Sequence, residues 1–169
     1  LWPSIWTKRV WISDIGVALT LLSIFFFVFK YGLFQVIAMY VGPLLVVNGW
    51  LVLYTWLHHT DLDVPHLSNT EFSFMRGAFL SIDRPYGKVL NFLHHNIGSS
   101  HVVHHVCPTI PHYHAIKATV LIKKAFKKVY LFNPDPIHLA LWNIACNCVA
   151  VKLEINKGKY IWHSSYNKR

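Results

Sequence analysis

The sequence predicts a mainly α-helical integral membrane protein: two transmembrane helices, a histidine-rich helical region on the cytoplasmic side, and a small C-terminal β-hairpin. Three observations carry that expectation. Two uncharged apolar runs lie near the N-terminus, from Ile15 to Phe29 and from Tyr31 to Leu57. Ten of the 12 histidines fall between His58 and His114, directly after the second run. Thirteen of the 16 Lys and Arg residues also follow Leu57.

The chain opens on Trp2-Pro3-Ser4-Ile5-Trp6, an interfacial aromatic segment, and starts at Leu1, as expected of a fragment or a processed piece. With 169 residues it is one domain's worth, yet 54% of it is hydrophobic and only 14% charged, well off the soluble average. The first apolar run reaches bilayer length once Trp11 and Ile12 join it, which leaves Asp14 near the boundary. Spans are therefore expected at about residues 11–30 and 33–57. No small-residue cleavage site follows the first, so it does not read as a signal peptide. Helices apolar on every side need either a bilayer or a large protein around them, and this chain is too small to be the latter. Gly42-Pro43 interrupts the second span and predicts a kink that neighbouring helices can accommodate.

Lys8 and Arg9 precede the first span, and Lys30 alone marks the turn at Lys30-Tyr31-Gly32. The positive-inside tendency then puts both ends of the hairpin in the cytoplasm. The formal charge of +9 reads as attraction to anionic lipid headgroups. Two hydrophobic spans argue against a nucleic-acid partner. Residues 1–57 are thus an interfacial start plus membrane hairpin, and 58–169 a cytoplasmic histidine-rich region with a C-terminal cap.

Beyond the spans, residues 58–70 read as a polar exit loop. Residues 71–81 have helical spacing, with Phe72, Met75, Phe79 and Ile82 on one side. Residues 86–105 carry the densest histidines, and Pro108 and Pro111 mark a turn. Ala115 to Tyr130 reads as a basic amphipathic helix with Ala118, Leu121, Ile122, Ala125 and Val129 as its stripe, and Lys117, Lys124 and Lys128 opposite. Both a membrane-surface helix and an ordinary surface helix look like this. Asn133-Pro134-Asp135-Pro136 is a breaker, and 137–147 a short apolar helix. Val149–Ile155 and Lys159–His163 flank Asn156-Lys157-Gly158 as a hairpin. Cys107, Cys146 and Cys148 would lie in a reducing compartment and are read as structural.

The chemistry centres on His101-Val102-Val103-His104-His105. On a helix, offsets of three and four put these imidazoles on one face over a single turn. Neutral imidazole is a common ligand of iron, copper, zinc and nickel. His59, at the end of the second span, and His95, about two turns upstream of the group, bring the candidates above what one structural zinc requires. Excess histidines favour a multinuclear centre. His66, His112, His114, His138 and His163, taken singly, read as interfacial or capping residues. No Ser-His-Asp arrangement, thiolate nucleophile or carboxylate pair supports hydrolysis.

These residues carry a resemblance. Leu57-His58-His59-Thr60-Asp61, Met75-Arg76-Gly77-Ala78, Ile82-Asp83-Arg84-Pro85-Tyr86-Gly87, His95-Asn96-Ile97, the His101–His105 group and Ile110-Pro111-His112-Tyr113-His114-Ala115 run in the order seen in membrane fatty acid desaturases. The chain most resembles the Δ12/ω-3 branch. The likeness extends from Ser13-Asp14-Ile15-Gly16 to Gly158-Lys159-Tyr160-Ile161-Trp162 and corresponds to the family's C-terminal half. It implies an endoplasmic-reticulum membrane enzyme with two irons held by histidines from three boxes. Such an enzyme uses O₂ and electrons from cytochrome b5 to desaturate an acyl lipid or acyl-CoA. The third box maps onto His101, His104 and His105, the ligand after the last span onto His59, and a recurring family histidine onto His95. Asp83, Arg84 and His112 are expected to support the ligands from behind, as hydrogen bonds to an imidazole's second nitrogen do. His58 stands where relatives often carry Gln and is not assigned to metal.

The first two boxes, HxxxH and HxxHH, are expected upstream of Leu1, so the 169 residues alone are expected to be inactive. A hydroxylase or acetylenase variant shares the same chemistry. A truncated, non-catalytic relic that binds partner desaturases or lipid is the alternative from another class. A histidine-rich metal transporter fits poorly, because its polar ligands should lie within the spans.

Overall fold

The computed structural model describes residues 3–154 and 159–163. The chain divides into two compact units, Leu1–Leu51 and Val52–Arg169.

In the first unit, α1 runs from Ser4 to Tyr31, starting earlier than the hydropathy boundary because nothing in Ser4–Val10 breaks a helix. At 1.5 Å per residue its 28 residues reach about 42 Å, longer than a hydrocarbon core of about 30 Å. Two hydroxyls within it are satisfied internally. Thr20 donates to the Gly16 carbonyl at 2.9 Å and Ser23 to that of Leu19 at 2.8 Å, which suits a helix without water around it. The turn falls at Gly32, whose φ of 90° favours glycine; a Cβ there would also meet the Gln35 side-chain oxygen at 2.9 Å.

The chain then enters α2 (Leu33–Val36), a π-helical stretch (Ile37–Val41) and α3 (Gly42–His59). The Gly42 N–H bonds to the Ile37 carbonyl five residues back. Pro43 brings no N–H to the ladder, and the widened π turn ahead of it takes up the mismatch. The interruption at Gly42-Pro43 thus appears as a π turn within one helical run, Leu33–His59, which is long and apolar enough to cross a membrane, as α1 is.

The second unit is built on the last turns of α3. Leu57, fully buried, packs with Tyr86, Ala140 and Ile144, and Leu53, Leu90, Ile137 and Leu141 close around them. Burying a leucine of this kind contributes about 1.5–3 kcal/mol. Ala140 and Ile144 face inward at an i, i+4 spacing from α8 (Ile137–Asn147), the short helix expected there.

The second unit also carries two small sheets. β1 (His66–Leu67) pairs antiparallel with β5 (Lys159–His163), which pairs antiparallel with β4 (Ala150–Glu154) in a register that sets Val151 against Trp162. The expected turn at Asn156-Lys157-Gly158 lies outside the described residues. β2 (Ile82–Asp83) runs parallel to β3 (Leu131–Phe132).

Two expected helices differ. Of residues 71–81 only α4 (Phe74–Ala78) is α-helical, and Phe72 and Met75 are exposed. Ile82 is recruited instead into β2 by its pairing with Leu131. The basic helix α7 spans His112–Ala125 and buries Ala115 and Thr119, while Leu121 stands exposed. Thr119 can face inward because its hydroxyl returns to the Ala115 carbonyl at 3.0 Å. The remaining helices are α5 (Gly87–Leu93) and α6 (His101–Val106), joined through a 3₁₀ turn at Ile97–Ser99.

Candidate metal centre

The carboxy end of α3 delivers His59, and α6 delivers His101 and His105 one helical turn apart. Their Nε2 atoms form a nearly equilateral triangle: His101 to His59 3.1 Å, His105 to His59 3.1 Å, and His105 to His101 3.0 Å. Three nitrogen lone pairs converging on one point repel unless a cation sits between them. Burial, followed by the charge of His58 and then of His105, holds the His101 imidazole far below the ordinary histidine value. Burial, then the charges of His59 and His104, takes His105 down to about 4. Both are therefore neutral near pH 7, the form that binds metal.

Three imidazole nitrogens so spaced can hold one ion, and imidazole suits iron, zinc, copper and nickel.

What sets the gap between α3 and α6 is the adjacent pair Asp83-Arg84, both fully buried. Asp83 accepts from the Val102 N–H at 2.8 Å and from the backbone N–H of His101. It thereby caps α6 from outside, since the Ser100 hydroxyl at the N-cap makes no capping bond and donates instead to the Asn96 carbonyl at 2.9 Å. The Tyr130 hydroxyl donates to the other Asp83 oxygen at 2.5 Å. Burial pushes the Asp83 carboxyl up; these donors, and the charge of Lys123, pull it part of the way back. Arg84 works in the other direction. Its Nε donates to the Leu57 carbonyl at the end of α3 at 2.7 Å, and its Nη2 pairs with the Asp61 carboxylate. Gly98 permits the crowding here: a Cβ at that position would lie 2.5 Å from the Arg84 carbonyl and 2.5 Å from the Tyr86 ring.

His58 is fully buried beside the triangle with both ring nitrogens engaged. Nδ1 lies 2.6 Å from the Ile82 carbonyl and so donates; Nε2 lies 2.7 Å from the Tyr86 hydroxyl and so accepts. His104 does not join the triangle. Positions 101 and 105 lie about 40° apart around a helix, whereas 104 is displaced about 60° to the other side of 101. It lines a separate cavity of about 250 Å³ with His94, His95 and His112. His95 reaches that cavity from a backbone with φ 53°, followed by Asn96 at φ 60°, two consecutive left-handed residues. The His95 and His112 rings lie 4.4 Å apart. His66 packs on Trp162 at 4.8 Å, and His114 and His138 are exposed. His112 therefore sits with His95, away from the triangle. Asp61 and Tyr86, which help organise the site, lie within the stretches that carry the resemblance but had no role assigned, and Tyr130 gave no signal in motif spacing.

His59, His101 and His105 thus form a cluster that could hold a metal ion, at the end of a helical run long and apolar enough to cross a membrane and on α6 beside it. The chain belongs to the fatty acid desaturase family, whose pattern it matches over residues 2–133. It is 42% identical over 165 residues to a Delta(12) fatty acid desaturase of Calendula officinalis, covering 94% of this chain and 43% of that protein. To an omega-6 fatty acid desaturase, endoplasmic reticulum isozyme 2, of Glycine max it is 42% identical over 144 residues, covering 85% of this chain and 37% of that one. An oleoyl-12-hydroxylase of Ricinus communis is 39% identical over 144 residues, with the same two coverages of 85% and 37%. The chain thus spans about two-fifths of the length of these relatives. No solved structure matches it.

Proposed function

We propose that this chain is the C-terminal part of an iron-dependent membrane desaturase of the endoplasmic reticulum. The whole enzyme introduces a cis double bond, at the Δ12 or ω-3 position, into an acyl lipid or acyl-CoA. The observation that carries this reading is the convergence of His59, His101 and His105 in a chain whose relatives are oleate-type desaturases. Residues 1–57 form the interfacial start and membrane hairpin. Residues 58–169 face the cytoplasm as part of the same catalytic domain, in keeping with the Lys and Arg that follow the second span.

Iron, when bound, supplies the activation of O₂ and the removal of two hydrogens from an unactivated acyl chain, with electrons from a cytochrome b5-type donor. This chain's part is to hold and orient. His59, His101 and His105 present neutral nitrogens to one ion. His104 and His95, which line the neighbouring cavity, would be available to a second ion, together with ligands from HxxxH and HxxHH boxes. Asp83 fixes the register of α6, and Arg84 fixes the end of α3.

The test is expression in yeast of the full-length protein carrying those boxes, with fatty acid profiling. A new Δ12 or ω-3 double bond, lost on His104→Ala, supports the proposal. An iron-loaded full-length protein that leaves every fatty acid unchanged refutes it. A hydroxylated product would move the reading to a hydroxylase, which the identity to the Ricinus protein keeps in view. The isolated 169 residues should bind one iron and not turn over; two irons per chain with turnover would overturn the division of ligands.

A further inference from the structure

A metal-bound histidine ordinarily has its second ring nitrogen fixed by a carboxylate, a carbonyl or water. His101 does not follow that rule. Its Nδ1 is buried, and no hydrogen-bond partner is found for it among the described residues. Something else must set the angle of this ring about χ2, because imidazole rotation there is broad and weakly restrained.

The ring that faces it is His58. The two imidazoles stack with centroids 4.3 Å apart and planes within 24°. His58 cannot turn, because each nitrogen is spoken for: Nδ1–H by the Ile82 carbonyl at 2.6 Å and Nε2 by the Tyr86 hydroxyl at 2.7 Å. Tyr86 is in turn wedged in the apolar core with Leu57. Neither His58 nitrogen has a lone pair free for a metal. The Nδ1 lone pair is absent in this tautomer, and the Nε2 lone pair receives the tyrosine proton.

We propose that His58 and Tyr86 are a positioning pair that orients the metal ligand His101 by face-to-face stacking, in place of the missing hydrogen bond at Nδ1. His58 is therefore a support and not a ligand, although it sits beside His59 in sequence and against His101 in space. The proposal rests on the reading of His59, His101 and His105 as a metal site.

The chemistry of the pair names a substitution that separates the two roles. A glutamine carboxamide has one acceptor and a donor, so it can accept from Tyr86 and donate to Ile82 while presenting a planar face to His101. As a metal ligand it is a poor substitute for imidazole. Leucine fills the space but has neither polar group.

The experiment is a Co²⁺ titration of the detergent-solubilised 169-residue chain, read by the visible d–d bands, whose position and intensity report coordination geometry. In His58→Gln, affinity should stay within about twofold of wild type and the bands should be unmoved. In His58→Leu, affinity should fall about tenfold or more and the bands shift, the scale seen when a ligand's support is removed. Tyr86→Phe keeps the aromatic packing and deletes only the hydroxyl that fixes His58. It should fall between the two while its circular dichroism stays that of wild type, so that the outcome survives if the leucine variant fails to fold.

Loss of binding in His58→Gln as severe as in His59→Ala would make His58 a ligand and overturn the proposal. Bands and affinity unchanged in Tyr86→Phe would also overturn it. Failure of the wild type itself to bind Co²⁺ would instead remove the metal-site reading, and this inference with it.

Discussion

Asp83→Ala removes the acceptor that ties α6 to the rest of the second unit. Three donors lose their partner: the Val102 N–H at 2.8 Å, the His101 N–H, and the Tyr130 hydroxyl at 2.5 Å. Losing a side-chain cap costs about 0.5–2 kcal/mol. A buried N–H left without a partner adds about 1–3 kcal/mol. Val102 is fully buried, so water cannot easily take the carboxylate's place there. Together these come to about 1.5–5 kcal/mol, concentrated on a helix of six residues with no other side-chain cap. If α6 must be ordered for His101 and His105 to bind together, half of that cost appearing in metal binding is about a tenfold loss of affinity. Asp83→Asn keeps one oxygen acceptor for the amides and should lose less. The assay is metal titration of the two variants alongside thermal unfolding in detergent. An Asp83→Ala protein that melts several degrees lower yet binds metal within twofold of wild type would show that the cap stabilises the fold without placing the ligands.

Three further outcomes follow from the same geometry. In the isolated chain, His59→Ala, His101→Ala and His105→Ala should each weaken Co²⁺ binding at least tenfold, whereas His104→Ala should barely change it; equal losses at all four positions would mean that His104 swings into the triangle. Arg84→Met should destabilise the second unit by about 3–5 kcal/mol, because it strands the Asp61 carboxylate in a buried site; a melting temperature within a degree of wild type would contradict this. Without metal, stability should be full above about pH 6.5, where an unfolded histidine is neutral, and should fall as pH drops toward about 4, the folded value of His105. In that window the unfolded chain binds the extra proton, so acid favours unfolding; a stability that rises on acidification, followed by circular dichroism, would reverse the sign.

What could be read from the sequence was what repeats locally. The apolar runs needed only length and an absence of charge, and the i, i+3, i+4 histidines only the helical period. The period also contained a detail that residue spacing alone left unused: offsets of three and four share a broad face, yet they diverge by about 100° from each other, enough to send His105 to the triangle and His104 to the neighbouring cavity. The ties that build the site are of another kind. Arg84 reaches Asp61 across 23 residues, Tyr86 reaches His58 across 28, and Tyr130 reaches Asp83 across 47. No periodicity marks such pairs, and strands of two residues such as β2 and β3 have no pattern to detect. The buried face of α7 was misplaced for a related reason. Hydropathy ranks Leu121 above Thr119, but a hydroxyl satisfied by its own helix can be buried cheaply.

The position of Asp83-Arg84 explains why so short an element has such reach. Successive side chains on a strand leave on opposite faces. One residue of the pair can therefore grip the start of α6 while the next grips the end of α3. The spacing between the helix carrying His101 and His105 and the helix carrying His59 is thus referred to a single peptide unit. Shifting β2 by one residue would exchange the two faces and present a guanidinium to the N–H groups of α6, where both are donors. The parallel pairing of Ile82 with Leu131 and Asp83 with Phe132 opposes that slip. Substitutions in β3 that weaken the pairing should therefore reach the candidate metal site without touching its three histidines, and do so by separating His59 from His101 and His105 together.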